Sequence, residues 1–200
     1  MLKKHALDPI KLIWLFAGSL IINTGVSFIW PLTTIYIHNY LHETLTVAGI
    51  VLFINSAFTM VGNAVGGLLF DKWHPYQTLL TGVSISTLST FLLVLFHGWP
   101  AYPILLITLG LGNGIVVTGL NSIATLIQSR NASYVFNVLY FTQNLGLVFG
   151  SLMVGFILPF GITYIFLLAF IMFAFLSIVI FFEYRGLNQA HASTNKKTTT

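Results

Sequence analysis

No cysteine occurs in the 200 residues, which excludes disulfides, thiolate metal sites and cysteine nucleophiles. Charge is nearly as scarce: acidic and basic residues make up 6% of the chain, against roughly a quarter in an ordinary soluble domain. The four carboxylates, Asp8, Glu43, Asp71 and Glu183, all fall at the edges of apolar runs, and the six histidines lie in loops, at run ends or near the termini. Carboxylates and histidines inside membrane segments are the usual proton relays, so the chain supplies no obvious proton carrier of its own. It also lacks a His-Glu-x-x-His pair, paired buried acids and a Gly-x-Ser-x-Gly turn, so it is not expected to be an enzyme and no metal or cofactor is expected.

What the chain has is hydrocarbon. Hydrophobic residues make up 56% of it and the mean hydropathy is +0.92. A helix needs about 20 residues to cross the apolar core of a bilayer. Six runs qualify, at about 12–37, 46–70, 77–96, 102–127, 134–157 and 162–182. The expected fold class is an all-α membrane protein of six transmembrane helices over 1–184, followed from 185 to 200 by a disordered cytoplasmic tail or the start of a linker. The first run exceeds the roughly 7–15 residues of a signal-peptide core and reads as a retained span. At about 1.5 Å per residue it would reach nearly 40 Å. Pro31 removes a backbone donor there and predicts a kink near the outer end.

The eight basic residues all fall on one side of these spans: Lys3, Lys4 and Lys11 before the first, Lys72 after the second, Arg130 after the fourth, and Arg185, Lys196 and Lys197 after the sixth. Short loops rich in Lys and Arg stay cytoplasmic, which places both termini inside a plasma or inner membrane. The net charge of +4 forms no continuous stripe, so anionic lipid headgroups rather than nucleic acid are the expected neighbours. Trp14, Trp30, Trp73 and Trp99 stand near span ends, where amphipathic rings anchor at the headgroups; Trp30 is also a candidate for ligand contact.

Polarity inside the spans is neutral. It comprises Asn23, Thr24 and Ser27, then Asn55, Ser56, Thr59 and Asn63, then Asn113 and Asn121, then Asn137, Tyr140, Gln143 and Asn144. Interhelical hydrogen bonds account for many such residues in membrane bundles, and a wetted cavity accounts for others. The cavity candidates are Asn23, Trp30, Asn113, Tyr140, Gln143 and Asn144. The many phenylalanines of the sixth run are expected to face lipid. The short connections are expected to set each helix beside its sequence neighbours. Asn23-Thr24-Gly25 and Asn113-Gly114 recur at similar depth in the first and fourth runs, which points to two inverted three-helix repeats.

Two segments carry a family resemblance. Gly67, Leu69, Asp71 and Lys72 follow the G-x-L-x-D-[RK]-x-G-[RK]-[RK] pattern of the major facilitator superfamily, in the loop after the second span, although His74, Pro75 and Tyr76 depart from its second half. In the fifth span Gly146, Gly150 and Gly155 resemble that superfamily's exporter pattern G-x-x-x-G-P-x-x-G-G, with Ser151 and Val154 replacing the proline and a glycine. Thr108 stands where exporters often carry an arginine. The resemblance implies the six-helix N-terminal half of a multidrug or other small-molecule transporter working by alternating access, with efflux favoured and proton coupling possible. Asp71 and Lys72 would belong to the cytoplasmic gate. It also implies a partner: the chain is a piece of a longer transporter or works with a second half or a second copy. A six-helix scaffold or a channel-like subunit is the alternative.

Overall fold

The computed structural model describes Asp8 and residues 10–188. Among these, six helical spans of sufficient length and apolarity run where the sequence places them: Leu12–Tyr40, Leu45–Lys72, Pro75–Leu95, Ala101–Leu126, Ala132–Phe160 and Ile162–Glu183, called spans one to six below. No strand occurs among the described residues. Span one is broken, as Pro31 predicts. Its α-helix runs Leu12–Ser27 and resumes at Trp30–Ile35. The residue four before Pro31 is Ser27, whose carbonyl receives no N–H from the proline ring, and the first segment stops there. A π turn, Tyr36–Tyr40, closed by the Leu41 N–H on the Tyr36 carbonyl at 3.1 Å, finishes the span. Span two starts on the Thr44 hydroxyl, which accepts the Val47 N–H at 3.3 Å, and span three has Pro75 in its first turn. The turn between spans five and six needs the left-handed backbone of Gly161, at φ 126°.

The packing departs from the expectation of neighbour-on-neighbour contact everywhere except between spans three and four. Span two lies chiefly against span four, span one against spans five and six, and span three against spans four and six, while spans one and two, two and three, and five and six touch only lightly. Exchanging the first three spans for the last three (one for four, two for five, three for six) maps this pairing onto itself. Short loops permit adjacent packing but do not require it. Interlocking two inverted three-helix units buries more of the small-residue faces.

Glycine makes the interlock possible. A Cβ on Gly62 or Gly114 would meet the backbone carbonyl of Leu111 or Thr59, and one on Gly66 would lie 2.8 Å from the Ile115 Cα. In the other repeat, a Cβ on Gly146 would sit 2.7 Å from the Leu20 carbonyl oxygen, and one on Gly150 2.6 Å from that of Thr24. Both repeats thus contain a Gly-x-x-x-Gly face, Gly62/Gly66 and Gly146/Gly150, pressed against the first helix of the other repeat. Asn55, 7% exposed, adds a polar tie by donating its Nδ2 to the Leu106 carbonyl at 2.6 Å.

Each end of the bundle is fastened separately. At the end holding the loop between spans three and four, Tyr36 donates to the His97 carbonyl at 2.7 Å and lies 2.9 Å from His97 Nδ1. Tyr102 bonds Thr33 at 2.8 Å, and Phe166 packs edge-on against Tyr36. At the opposite end the Asp8 carboxylate accepts the backbone N–H groups of Gln128 at 2.9 Å and Ser129 at 3.0 Å. Tyr184 donates to the Trp14 carbonyl at 2.7 Å; burial pushes its phenol well above the ordinary value, so it remains a donor at neutral pH. The packed chain continues past span six: Leu187 is buried, and the Asn188 side chain accepts the Tyr76 N–H at 3.1 Å, capping span three. The tail expected from 185 lies, beyond Asn188, outside the described residues.

The sixth span is not wholly a lipid face. Phe166 and Phe173 are buried against spans one and three, whereas Phe175, Phe181 and Phe182 are exposed. An apolar helix reads the same on all sides, so composition does not indicate which phenylalanines turn inward.

Candidate functional site

Spans one, two, four and five do not close on one another completely. Between them lies a cavity of about 700 Å³, walled by Val26, Ser27, Ile29, Trp30 and Pro31 of span one, Asn55, Ser56 and Thr59 of span two, Leu106, Leu109, Gly110 and Asn113 of span four, and Leu147 and Ser151 of span five. This volume lies within the range of small-molecule sites. The break in span one lies on this wall: Val26 to Pro31 straddle it, and Trp30, 56% exposed, is among the lining residues. The cavity occupies the half of the bundle away from Lys72, Arg130 and Arg185.

No charged side chain lines the cavity. Its polarity comes from hydroxyls and amides, several already engaged. The Ser56 Oγ donates to the Leu52 carbonyl at 2.9 Å and the Thr59 Oγ1 to the Asn55 carbonyl at 2.9 Å. Two buried wall atoms, Ser27 Oγ and Asn113 Oδ1, have no hydrogen-bond partner.

Of the six cavity candidates, Trp30 and Asn113 line this cavity and four do not. Asn23 donates to the Ser19 carbonyl of its own helix at 2.8 Å. Gln143 reaches Asn121 Oδ1 at 3.4 Å, Asn144 bonds back to the Tyr140 carbonyl at 2.8 Å, and Tyr140 is 70% exposed on the outside of span five. The residues that take their place are Ser27, Asn55, Ser56, Thr59 and Ser151. Asn55 and Thr59 fall on one helical stripe facing span four, with the exposed Ser56 beside it, a phase visible in the sequence only once the partner helix is known.

The loop motif sits at the opposite end. The Asp71 and Lys72 side chains are exposed, with no hydrogen bond or ion pair to other described residues, and a Cβ on Gly67 would make only an ordinary 3.7 Å contact with the Thr118 methyl group. In span five, Gly146 and Gly150 pack on span one, whereas a Cβ on Gly155 would meet nothing within 4 Å.

The family profile described as Major Facilitator Superfamily matches residues 15–199. The chain belongs to the major facilitator superfamily. Within it, the uncharacterized MFS-type transporter YttB of Bacillus subtilis (strain 168) is 38% identical over 179 residues, covering 90% of this chain and 45% of that protein. Among solved structures, the peptide transporter POT (E310Q mutant) in complex with sulfate superposes with a TM-score of 0.81 at 18% identity, over 93% of this chain and 41% of that one. The same transporter in complex with alafosfalin gives a TM-score of 0.70, covering 98% of this chain and 42% of that one. At such identity the superpositions speak for the fold alone. The chain therefore has a six-span superfamily fold and spans less than half the length of the relatives it matches. It is a multi-pass membrane protein of a transporter family, not an enzyme.

Proposed function

We propose that this chain forms one half of a small-molecule transporter that works by alternating access. The observation that carries this reading is the uncharged, mostly apolar cavity, dotted with hydroxyls and amides, where the two inverted repeats meet, the place where substrate sites of such folds lie. Spans two and five support the need for a second half. Their outward residues combine large apolar groups (Phe53, Met60, Phe141, Phe156) with exposed Ser56, Asn63 and Asn144, a mixture ill-suited to lipid and suited to a protein wall across a wet cleft. A second six-helix unit, C-terminal or a second copy, covers that face and completes the cavity.

Export is the favoured direction, on the exporter-like Gly146/Gly150 pattern. Proton coupling, where it occurs, uses groups of the other half, because every described Asp, Glu, Lys and Arg here lies at a span end. Both termini are cytoplasmic, since Lys11, Lys72, Arg130 and Arg185 share one end. Orientation is tested by impermeant maleimide applied outside intact cells: Glu43→Cys and Gly98→Cys react and Lys72→Cys does not, with the opposite pattern reversing the assignment. The half-transporter reading is tested in liposomes. Saturable flux from demonstrably monomeric chain would overturn it, and flux only when a second six-helix unit is present supports it.

A further inference from the structure

Spans three and six take no part in the cavity, and between them a shallow groove opens toward lipid. Thr87 and Ser177, their hydroxyls 2.9 Å apart, lie at its base, and Ser84 and Leu88 form its exposed flank. One end is closed by Phe91 against Phe170, with ring centroids 5.4 Å apart. At about 290 Å³ the groove falls below the range of sites that enclose a small molecule. Phe170, Ser177 and Phe181 recur at helical spacing, so the same face of span six continues from the groove to the end of the helix that carries Arg185.

Arg185 is held there as a fixed cation. Its guanidinium lies 4.1 Å from the Phe181 ring centroid and 5.7 Å from that of Phe182, and its Nε donates to the Phe181 carbonyl at 2.8 Å. The Tyr76 hydroxyl of span three donates to the same carbonyl at 3.4 Å, so the cation stands where spans three and six meet. An arginine has five N–H donors. One is spent on that carbonyl, and the four on the Nη atoms have no partner among the described residues. Two rings and a carbonyl thus fix a planar fork whose outer prongs are unused, the geometry that suits a phosphate. The nearest carboxylate in the chain, Glu183, is two residues from Arg185, a spacing that does not share a helix face. Trp73 is exposed at the same end of the bundle, as an indole at headgroup level would be. From Phe181 to Phe170 the helix rises about 16 Å at 1.5 Å per residue. That is close to half of a roughly 30 Å hydrocarbon core, the depth that one leaflet's chains fill.

We infer that this face binds one anionic glycerophospholipid, its phosphate on the Arg185 fork and one acyl chain along Leu88, Phe91 and Phe170. A zwitterionic lipid also brings an ammonium, for which no carboxylate stands beside Arg185. A free phosphate would take the fork and leave the groove empty. The inference needs only the membrane fold and is independent of the transport reading.

Native mass spectrometry of the full chain, released from micelles doped with equal amounts of dioleoyl phosphatidylglycerol and dioleoyl phosphatidylethanolamine, reads the bound lipid directly. One phosphatidylglycerol stays bound in preference to phosphatidylethanolamine. Arg185→Ala lowers that preference at least about tenfold, the loss expected for a hydrogen-bonded charge contact. Arg185→Lys keeps the charge but loses the fork and the ring stacking, and falls between the two. Arg130→Ala, at the same end but between spans four and five, leaves the preference unchanged. Ser84→Phe, at an exposed position, fills the groove and lowers lipid retention with Arg185 intact. If Arg185→Ala loses helix content by circular dichroism, the Arg185→Lys and Ser84→Phe variants carry the test. Equal retention of the two lipids by the native chain, an unchanged preference in folded Arg185 variants, or unchanged retention in Ser84→Phe would overturn the inference. Glycerol phosphate, the headgroup anion without chains, does not displace the lipid. Displacement would make Arg185 a plain anion site and overturn the role of the groove.

Discussion

Replacing Gly62 by alanine tests the interlock of the two repeats at its tightest point. The added Cβ would strike the Leu111 carbonyl, with the Leu111 Cα only 3.2 Å away. Comfortable carbon contacts lie at about 3.5–4.0 Å, so spans two and four would have to part by roughly 1 Å. They have little freedom to do so, because Gly66, Gly110 and Gly114 hold the same crossing and the Asn55–Leu106 bond at 2.6 Å lies beside it. Overpacking of this kind costs about 1–3 kcal/mol, against a gain of at most about 1 kcal/mol from helix propensity, for a net loss of up to about 2 kcal/mol. Gly155→Ala is the matched control: nothing lies within 4 Å, so only the propensity gain of up to about 1 kcal/mol remains. The two substitutions should therefore move stability in opposite directions. Reversible unfolding in mixed micelles, titrated with dodecyl sulfate and followed by tryptophan fluorescence, measures both. Gly146→Ala should resemble Gly62→Ala, since its Cβ would face the Leu20 carbonyl oxygen at 2.7 Å. If Gly62→Ala is as stable as Gly155→Ala, close helix approach is not what joins the repeats, and the packing argument is wrong.

Other consequences can be checked individually. Pro31→Ala returns an N–H to the Ser27 carbonyl and should straighten span one, lengthening the distance between spin labels at the exposed positions Ile13 and Tyr40; an unchanged distance would place the cause of the break elsewhere. Asp8→Ala removes a half-exposed acceptor of two backbone N–H groups and should cost about 0.5–1.5 kcal/mol, with faster amide exchange confined to Gln128 and Ser129. Asp71→Asn should slow transport by the complete assembly while costing under about 1 kcal/mol of stability, because the carboxylate is exposed. Unchanged rates would make Asp71 an ordinary solvated loop residue.

The spans were legible because bilayer thickness sets a length, and twenty apolar residues are hard to mistake. The break in span one was legible for a similarly local reason, since a proline removes one donor at a known position. Helix partners were not. Loop length constrains which helices can be adjacent, but glycine faces decide which are; nothing in the sequence separates Gly62/Gly66 from other small residues, and Gly146/Gly150 stand out only through a family pattern. The cavity was half legible for the same reason. Asn113 and Asn23 look alike in sequence, yet one faces the cavity and the other turns back to Ser19 on its own helix. Phase around a helix axis requires knowing the neighbour. Asp8 and Asn188 were invisible, because a single polar residue outside a span carries no periodic signal, and their partners lie 120 and 112 residues away in the chain.

The crossed pairing also bears on how the protein is made. Spans enter the bilayer in chain order, yet span two finds its main partner only when span four arrives, and span one only when span five does. The Asn55 amide waits 51 residues for the Leu106 carbonyl, and Tyr184 closes on Trp14 after 170. During synthesis the first three spans therefore stand in lipid with their glycine faces open and an amide unpaired. They are held by insertion rather than by one another, until the inverted second unit slots between them.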